Sequence, residues 1–125
     1  MIILGDKIVP YEELAFISAI DEIKNTKANS TLLFFYEEEL VKYSFNNKLS
    51  YGVIVNSLKE AIYANNLNAK YIISEKNIAI QIQKIADNYM YDSKNLAIIN
   101  TNEEFEHIAK DEIDGVIYRN LLNND

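Results

Sequence analysis

The sequence predicts an α/β domain built on a mainly parallel sheet, and three observations carry that expectation. Between Lys70 and Asn120 the chain reads KYIIS, EKNIAIQIQKIADNYM, NLAIIN, TNEEFEHIAKDE and GVIYRN, alternating short apolar runs with amphipathic segments. Runs such as TLLFFY show no in-out alternation, the pattern of strands covered on both faces. The five strongest runs begin at Thr31, Tyr51, Tyr71, Leu96 and Val116, about 20 residues apart. That spacing leaves room for a helix between strands and implies right-handed crossovers.

Composition sets the bounds. A chain of 125 residues is one domain by length and buries a core without disulfides or metal. Its 49% apolar and 25% charged residues are ordinary for a globular protein. With no cysteine there is no disulfide framework, thiolate metal site or cysteine nucleophile. The start, MIILGDKIVPYEE, lacks the basic head and long apolar core of a signal peptide. No apolar run approaches a membrane span. The expectation is a soluble, cytoplasmic protein with no membrane partner. A net charge of −7 repels phosphate backbones, so nucleic acid is not an expected partner either.

Taken in order, Ile2–Leu4 and Lys7–Val9 suit a small N-terminal hairpin turned at Gly5, which takes positive φ without steric cost. Leu14–Ile17 is a short strand, and Ser18 with Asp21 has capping-box spacing ahead of a short helix, Ala19–Asn25. The rival is one continuous helix over Tyr11–Asn25. Thr31–Tyr36 is a strand, followed by a helix over Glu37–Asn46 with Leu40, Val41, Ser44 and Phe45 inward. Tyr51–Val55 leads to a helix over Ser57–Asn66 with Leu58, Ala61 and Ile62 inward. Tyr71–Ile73 and a capping Ser74 lead to the longest helix, Lys76–Tyr89, with Ile78, Ile82, Ile85 and Tyr89 on its inner stripe. Leu96–Ile99 precedes a better-formed capping box, Thr101 with Glu104, which opens a helix burying Phe105, Ile108 and Ala109. Val116–Tyr118 is the last strand, and LLNND is a frayed tail.

The first-choice architecture is a single domain with a five- to six-stranded sheet and helices on both faces, a three-layer fold of the Rossmann-like or flavodoxin-like kind. The alternative is an incomplete barrel, since DGVIYRN resembles the strand ends of (β/α)₈ barrels.

In either case ligands bind at the carboxyl ends of the strands. The candidate residues there are Glu37, Asn56, Glu75, Lys76, Asn100 and Arg119. Arg119, the only arginine, suits a carboxylate or phosphate clamp, against the simpler reading of an internal ion pair. No cofactor is expected: the glycines stand singly at Gly5, Gly52 and Gly115, so the clustered glycines of a dinucleotide or phosphate loop are missing. No metal site is expected, because His107 is alone and opposite the apolar side of its helix. Glu37–Glu39 and Glu103–Glu104 sit in first helical turns, where the helix dipole explains them. A phospho-receiver reading fails because no aspartate ends the third strong strand.

Aromatic residues off the inner stripes carry the other signal. Tyr43, Tyr63 and Ile80 fall outside those stripes, and Tyr89 and Tyr91 bracket the loop NYMYDSK. Exposed tyrosine and methionine are favoured at protein contacts. The leading expectation is therefore association, with a second copy or another protein. Its alternative is a small-molecule-binding protein or enzyme using the carboxyl edge of the strands.

Overall fold

The computed structural model describes residues 1–123; the last two residues of the expected frayed tail lie outside them. Seven strands form one parallel sheet: β1 (Ile2–Leu4), β2 (Leu14–Phe16), β3 (Thr31–Phe35), β4 (Tyr51–Ile54), β5 (Tyr71–Ser74), β6 (Lys94–Ile99) and β7 (Gly115–Tyr118). Four α-helices connect the later ones: α1 (Glu38–Asn46), α2 (Leu58–Asn66), α3 (Lys76–Tyr89) and α4 (Phe105–Lys110). The α/β class and the parallel sheet are as the sequence predicts, with seven strands in place of five to six. Among the described residues no helix is long and apolar enough to cross a membrane.

The strands follow the order β1-β7-β6-β5-β4-β3-β2. From β2 to β7 each strand pairs with its successor in sequence, and β1 joins the far side of β7 through Ile2↔Gly115 and Leu4↔Ile117. That parallel pairing replaces the expected N-terminal hairpin. Gly5 does take positive φ, at 100°, but the residues after it bend instead of forming a returning strand. Asp6 holds that bend by accepting from the backbone N–H of Ile8 at 2.9 Å, a local alternative to strand pairing. Gly115 is fixed by the same junction, since a Cβ there would meet the Ile2 carbonyl and lie 2.7 Å from the Ile2 Cβ.

Side chains pack on both faces of the sheet, and the four α-helices all cover one of them. Leu32, Phe34, Val53 and Ile72 point to one face with Leu40 and Val41 of α1, Ala61 and Ala64 of α2, and Ile82 of α3. Ala97, Ile99 and Val116 continue that face beneath Ala79 of α3 and Ile108 of α4. The other face carries Leu4, Leu33, Ile54, Tyr71, Ile73, Leu96, Ile98 and Ile117. Its cover is the curl of the sheet itself, with Leu121 and Leu122 of the final 3-10 turn closing on it. Residues from both edge strands, β1 and β2, join this single cluster. The reason is topological: when order never reverses, crossovers of one hand return every helix to the same face. The uncovered face must then be buried by curvature.

Local chemistry starts and stops each helix. Glu37 caps α1 by accepting from Leu40 N–H at 2.8 Å, and Ser57 caps α2 through Glu60 N–H at 3.1 Å. Thr101 and Glu104 form the expected capping box. Ser18 is not a cap: Ile20–Asn25 is a 3-10 helix entered through Ala19, and the Ser18 N–H donates to Glu22. Ser74 is not a cap either, because Glu75 takes that position and the Ser74 hydroxyl is buried. At the other ends, Lys48, Asn68, Met90 and Glu112 each adopt the left-handed conformation just after a helix. Backbone bonds such as Leu49 N–H to Ser44 O, Ala69 N–H to Ala64 O and Tyr91 N–H to Ala86 O close all four turns in the same way. A glycine-poor chain thus makes its helix-to-strand connections with residues that are strained there.

Candidate ligand cleft at the strand carboxyl ends

Parallel strands end together, so residues distant in sequence meet along one edge. Glu75 follows β5, Asn100 follows β6 and Arg119 follows β7. The Arg119 guanidinium donates to both Glu75 carboxylate oxygens, at 2.7 and 2.8 Å, and its Nε donates to Asn100 Oδ1 at 2.9 Å. Three strand ends are tied by one planar group. The Arg119 hydrogen bonds hold the Glu75 carboxyl below its usual range. Glu104 adds a second carboxylate near the guanidinium, itself bonded to the N–H groups of Asn100 and Thr101.

Beside this tie lies a cleft of about 750 Å³ between the Gly5–Ile8 bend, Asn100–Asn102 and the segment from Tyr118 to Asn120. Its inner wall is Tyr118, whose hydroxyl donates to Asp6 Oδ1 at 2.7 Å. That bond lowers the Asp6 carboxyl and raises the phenol. The Tyr118 ring packs edge-on against Phe105, which fixes it to α4. Ile8 is 86% exposed at the rim.

Of the sequence-based candidates, the structure brings together Glu75, Asn100 and Arg119. Glu37 is occupied in capping α1. Asn56 lies at the end of β4, where its N–H donates to Glu60 at 2.8 Å. Lys76 opens α3 and does not line the cleft. Sequence reasoning missed Asp6, Lys7, Ile8, Asn102 and Tyr118. The first three were assigned to a hairpin, although an aspartate just after glycine is itself a turn signal.

The contact candidates divide. Tyr43, Tyr63 and Tyr89 are exposed, at 37%, 53% and 77%. Ile80 and Tyr91 are half-buried: Ile80, on α3, packs against the cluster of Ile99, Ile108 and Val116, and Tyr91, after α3, against the cluster under α1 and α2. The buried arc of α3 is wider than one stripe. Phe45 and Ile62, expected inward, are exposed instead. His107 is exposed, 3.9 Å from Asp111.

Two further polar clusters lie elsewhere. At the amino ends of the strands Glu12 accepts from Thr31 Oγ1 at 2.6 Å, from Lys70 Nζ at 2.7 Å and from the Tyr71 hydroxyl. Burial pushes the Glu12 carboxyl up, but these donors outweigh it and the net shift is downward. Burial, with the bond to Glu12, raises the Tyr71 phenol. On the helical face, Gln83 of α3 and Asn95 of β6 bond to each other at 3.0 Å and both reach Asp114 just before β7. Each cluster ties three segments of the fold. The chain matches no family model and finds no match among curated proteins.

Proposed function

We propose that this chain is a small-molecule-binding domain whose site is the cleft between Gly5–Ile8, Asn100–Asn102 and Tyr118–Asn120. The observation that carries the reading is the position of the cleft. It opens at the carboxyl ends of β1, β6 and β7, where parallel α/β sheets place their ligands. The Arg119–Glu75–Asn100 tie supports it, because a wall built from three strand ends holds its polar atoms in place before any ligand arrives. A soluble, cytoplasmic setting belongs to the same proposal. No catalytic role is assigned to any residue.

The test is a thermal-shift screen of small polar compounds against the chain and an Asn120→Trp variant, which fills the cleft. A ligand at 100 times its Kd stabilises by about 2.7 kcal/mol. At least one compound should raise the Tm of the wild type by several degrees and leave the variant unmoved. Compounds that stabilise both proteins equally, or none that stabilises either, would overturn the reading.

A second reading, association with a copy or another protein, is favoured by one specific feature. Tyr43 and Phe45 on α1 and Ile62 and Tyr63 on α2 are all exposed, on helices that border a common groove lined by Val41, Tyr63 and Leu67. Sedimentation of the chain at high micromolar concentration tests it. A dimer weakened by Tyr63→Glu supports association, and a monomer removes the self-association form.

A further inference from the structure

The cleft's unspent hydrogen-bonding groups, sorted by charge, point to a class of ligand, an inference that rests on the binding proposal above. Of its two cations, Arg119 is committed and Lys7 is not. Arg119 spends three of the five guanidinium N–H groups on Glu75 and Asn100. Glu75 neutralises its charge and Glu104 lies close by. Asp6 is held by Tyr118 and by the backbone of Ile8 and Val9. The lining itself carries one carboxylate, Asp6, and two cations, Lys7 and Arg119, with Glu75 and Glu104 beside Arg119, in a chain of net charge −7. Asp6, Glu75 and Glu104 together leave no excess of positive charge there to draw an anion.

Apart from the Lys7 ammonium and two Arg119 N–H groups, what remains unspent is neutral. Asn102 and Asn120 make no side-chain hydrogen bond among the described residues, and Asn100 uses only its Oδ1. A carboxamide offers two donors and an acceptor, so Asn102 and Asn120, on two loops, with the free amide N–H groups of Asn100, match groups that both donate and accept. Hydroxyls are such groups. The exposed Ile8 side chain supplies an apolar patch beside them, which suits the C–H face of a saccharide ring. The volume of about 750 Å³ admits one or two such rings.

We infer that the cleft takes a neutral polyhydroxylated ligand, a mono- or disaccharide or a polyol, held by Asn100, Asn102 and Asn120 with Ile8 against its C–H face. Titration of isotope-labelled protein, followed through its amide resonances, tests this with named probes. Glucose, galactose, maltose, trehalose and mannitol form the neutral set; glucose 6-phosphate, gluconate and inorganic phosphate form the anionic set. At least one neutral probe should give saturable shifts confined to Gly5–Ile8, Asn100–Asn102 and Tyr118–Asn120. Its charged counterpart should bind at least tenfold more weakly. Asn102→Ala and Asn120→Ala should each weaken binding at least fivefold while resonances elsewhere keep their positions. Tighter binding of glucose 6-phosphate or phosphate in the cleft would overturn the neutral class and leave the cleft a ligand site. No saturable shift from any neutral probe would also overturn it, and the thermal screen with Asn120→Trp then decides separately whether the cleft binds anything.

Discussion

Replacing Lys48, Met90 and Glu112 together by glycine should make this protein more stable. Each has positive φ, 55°, 54° and 59° respectively, at the turn that ends a helix. A left-handed conformation costs a residue with a Cβ about 1–2 kcal/mol. Glycine escapes that cost but gives back about 0.5–1 kcal/mol through its greater freedom in the unfolded chain. The net is a gain of about 0.5–1 kcal/mol per site. All three side chains are exposed, and none makes a side-chain hydrogen bond or ion pair among the described residues, so truncation loses little packing. Glu112 also places a negative charge at the carboxyl end of α4, where the helix dipole disfavours it. The three turns are on separate connections, so the gains should add to about 1.5–3 kcal/mol. Urea unfolding followed by circular dichroism measures this as a higher midpoint at unchanged slope. Asn68→Gly, at the fourth such turn, should gain only a few tenths of a kcal/mol, since asparagine tolerates this conformation. A triple variant no more stable than wild type would refute the claim that these turns are strained.

Other consequences can be checked in the same assay. Ile82→Ala should cost roughly 2–5 kcal/mol, because Ile82 is fully buried, and half-buried Ile80→Ala about 1–2 kcal/mol; equal midpoints would contradict the packing described. Gly115→Ala should destabilise by about 1–3 kcal/mol by forcing β1 from β7, and a neutral result would mean that the β1 pairing is dispensable. Glu12 has a lowered carboxyl pKa, so its contribution is present above the ordinary value of 4.5 and is lost as pH falls through the lower folded value. Glu12→Gln should therefore be less stable than wild type at neutral pH, with a shallower loss in acid; parallel pH profiles would show that the contacts of Glu12 do not stabilise the fold.

Much of the fold is written in short-range patterns. The apolar runs at Thr31, Tyr51, Tyr71, Leu96 and Val116 become β3 to β7, and the Thr101–Glu104 box opens where its spacing indicates. What the sequence did not disclose depends on long-range pairing. Ile2–Leu4 is a strand in either arrangement, and only the opening beside Gly115 gives it to β7 instead of a hairpin partner. Whether α-helices divide between the faces depends on strand order, which no local pattern encodes. The candidate site was legible in the same proportion. Arg119, Glu75 and Asn100 could be placed at one edge because parallel strands end together. Asp6, Lys7 and Ile8 could not, because their place in the cleft follows from the β1–β7 pairing. Ile80 was misjudged because α3 also packs against the cluster of Ile99, Ile108 and Val116, which buries more than one stripe of the helix.

The most direct measurement is a crystal structure of the chain grown with the compound that stabilises it most in the thermal screen. The account predicts that compound between the Gly5–Ile8 bend and Asn120, within hydrogen-bond distance of at least two of Asn100, Asn102 and Asn120, with the Arg119–Glu75 pair intact behind it. A compound seated instead in the groove between α1 and α2, with the strand-end cleft empty, would contradict it.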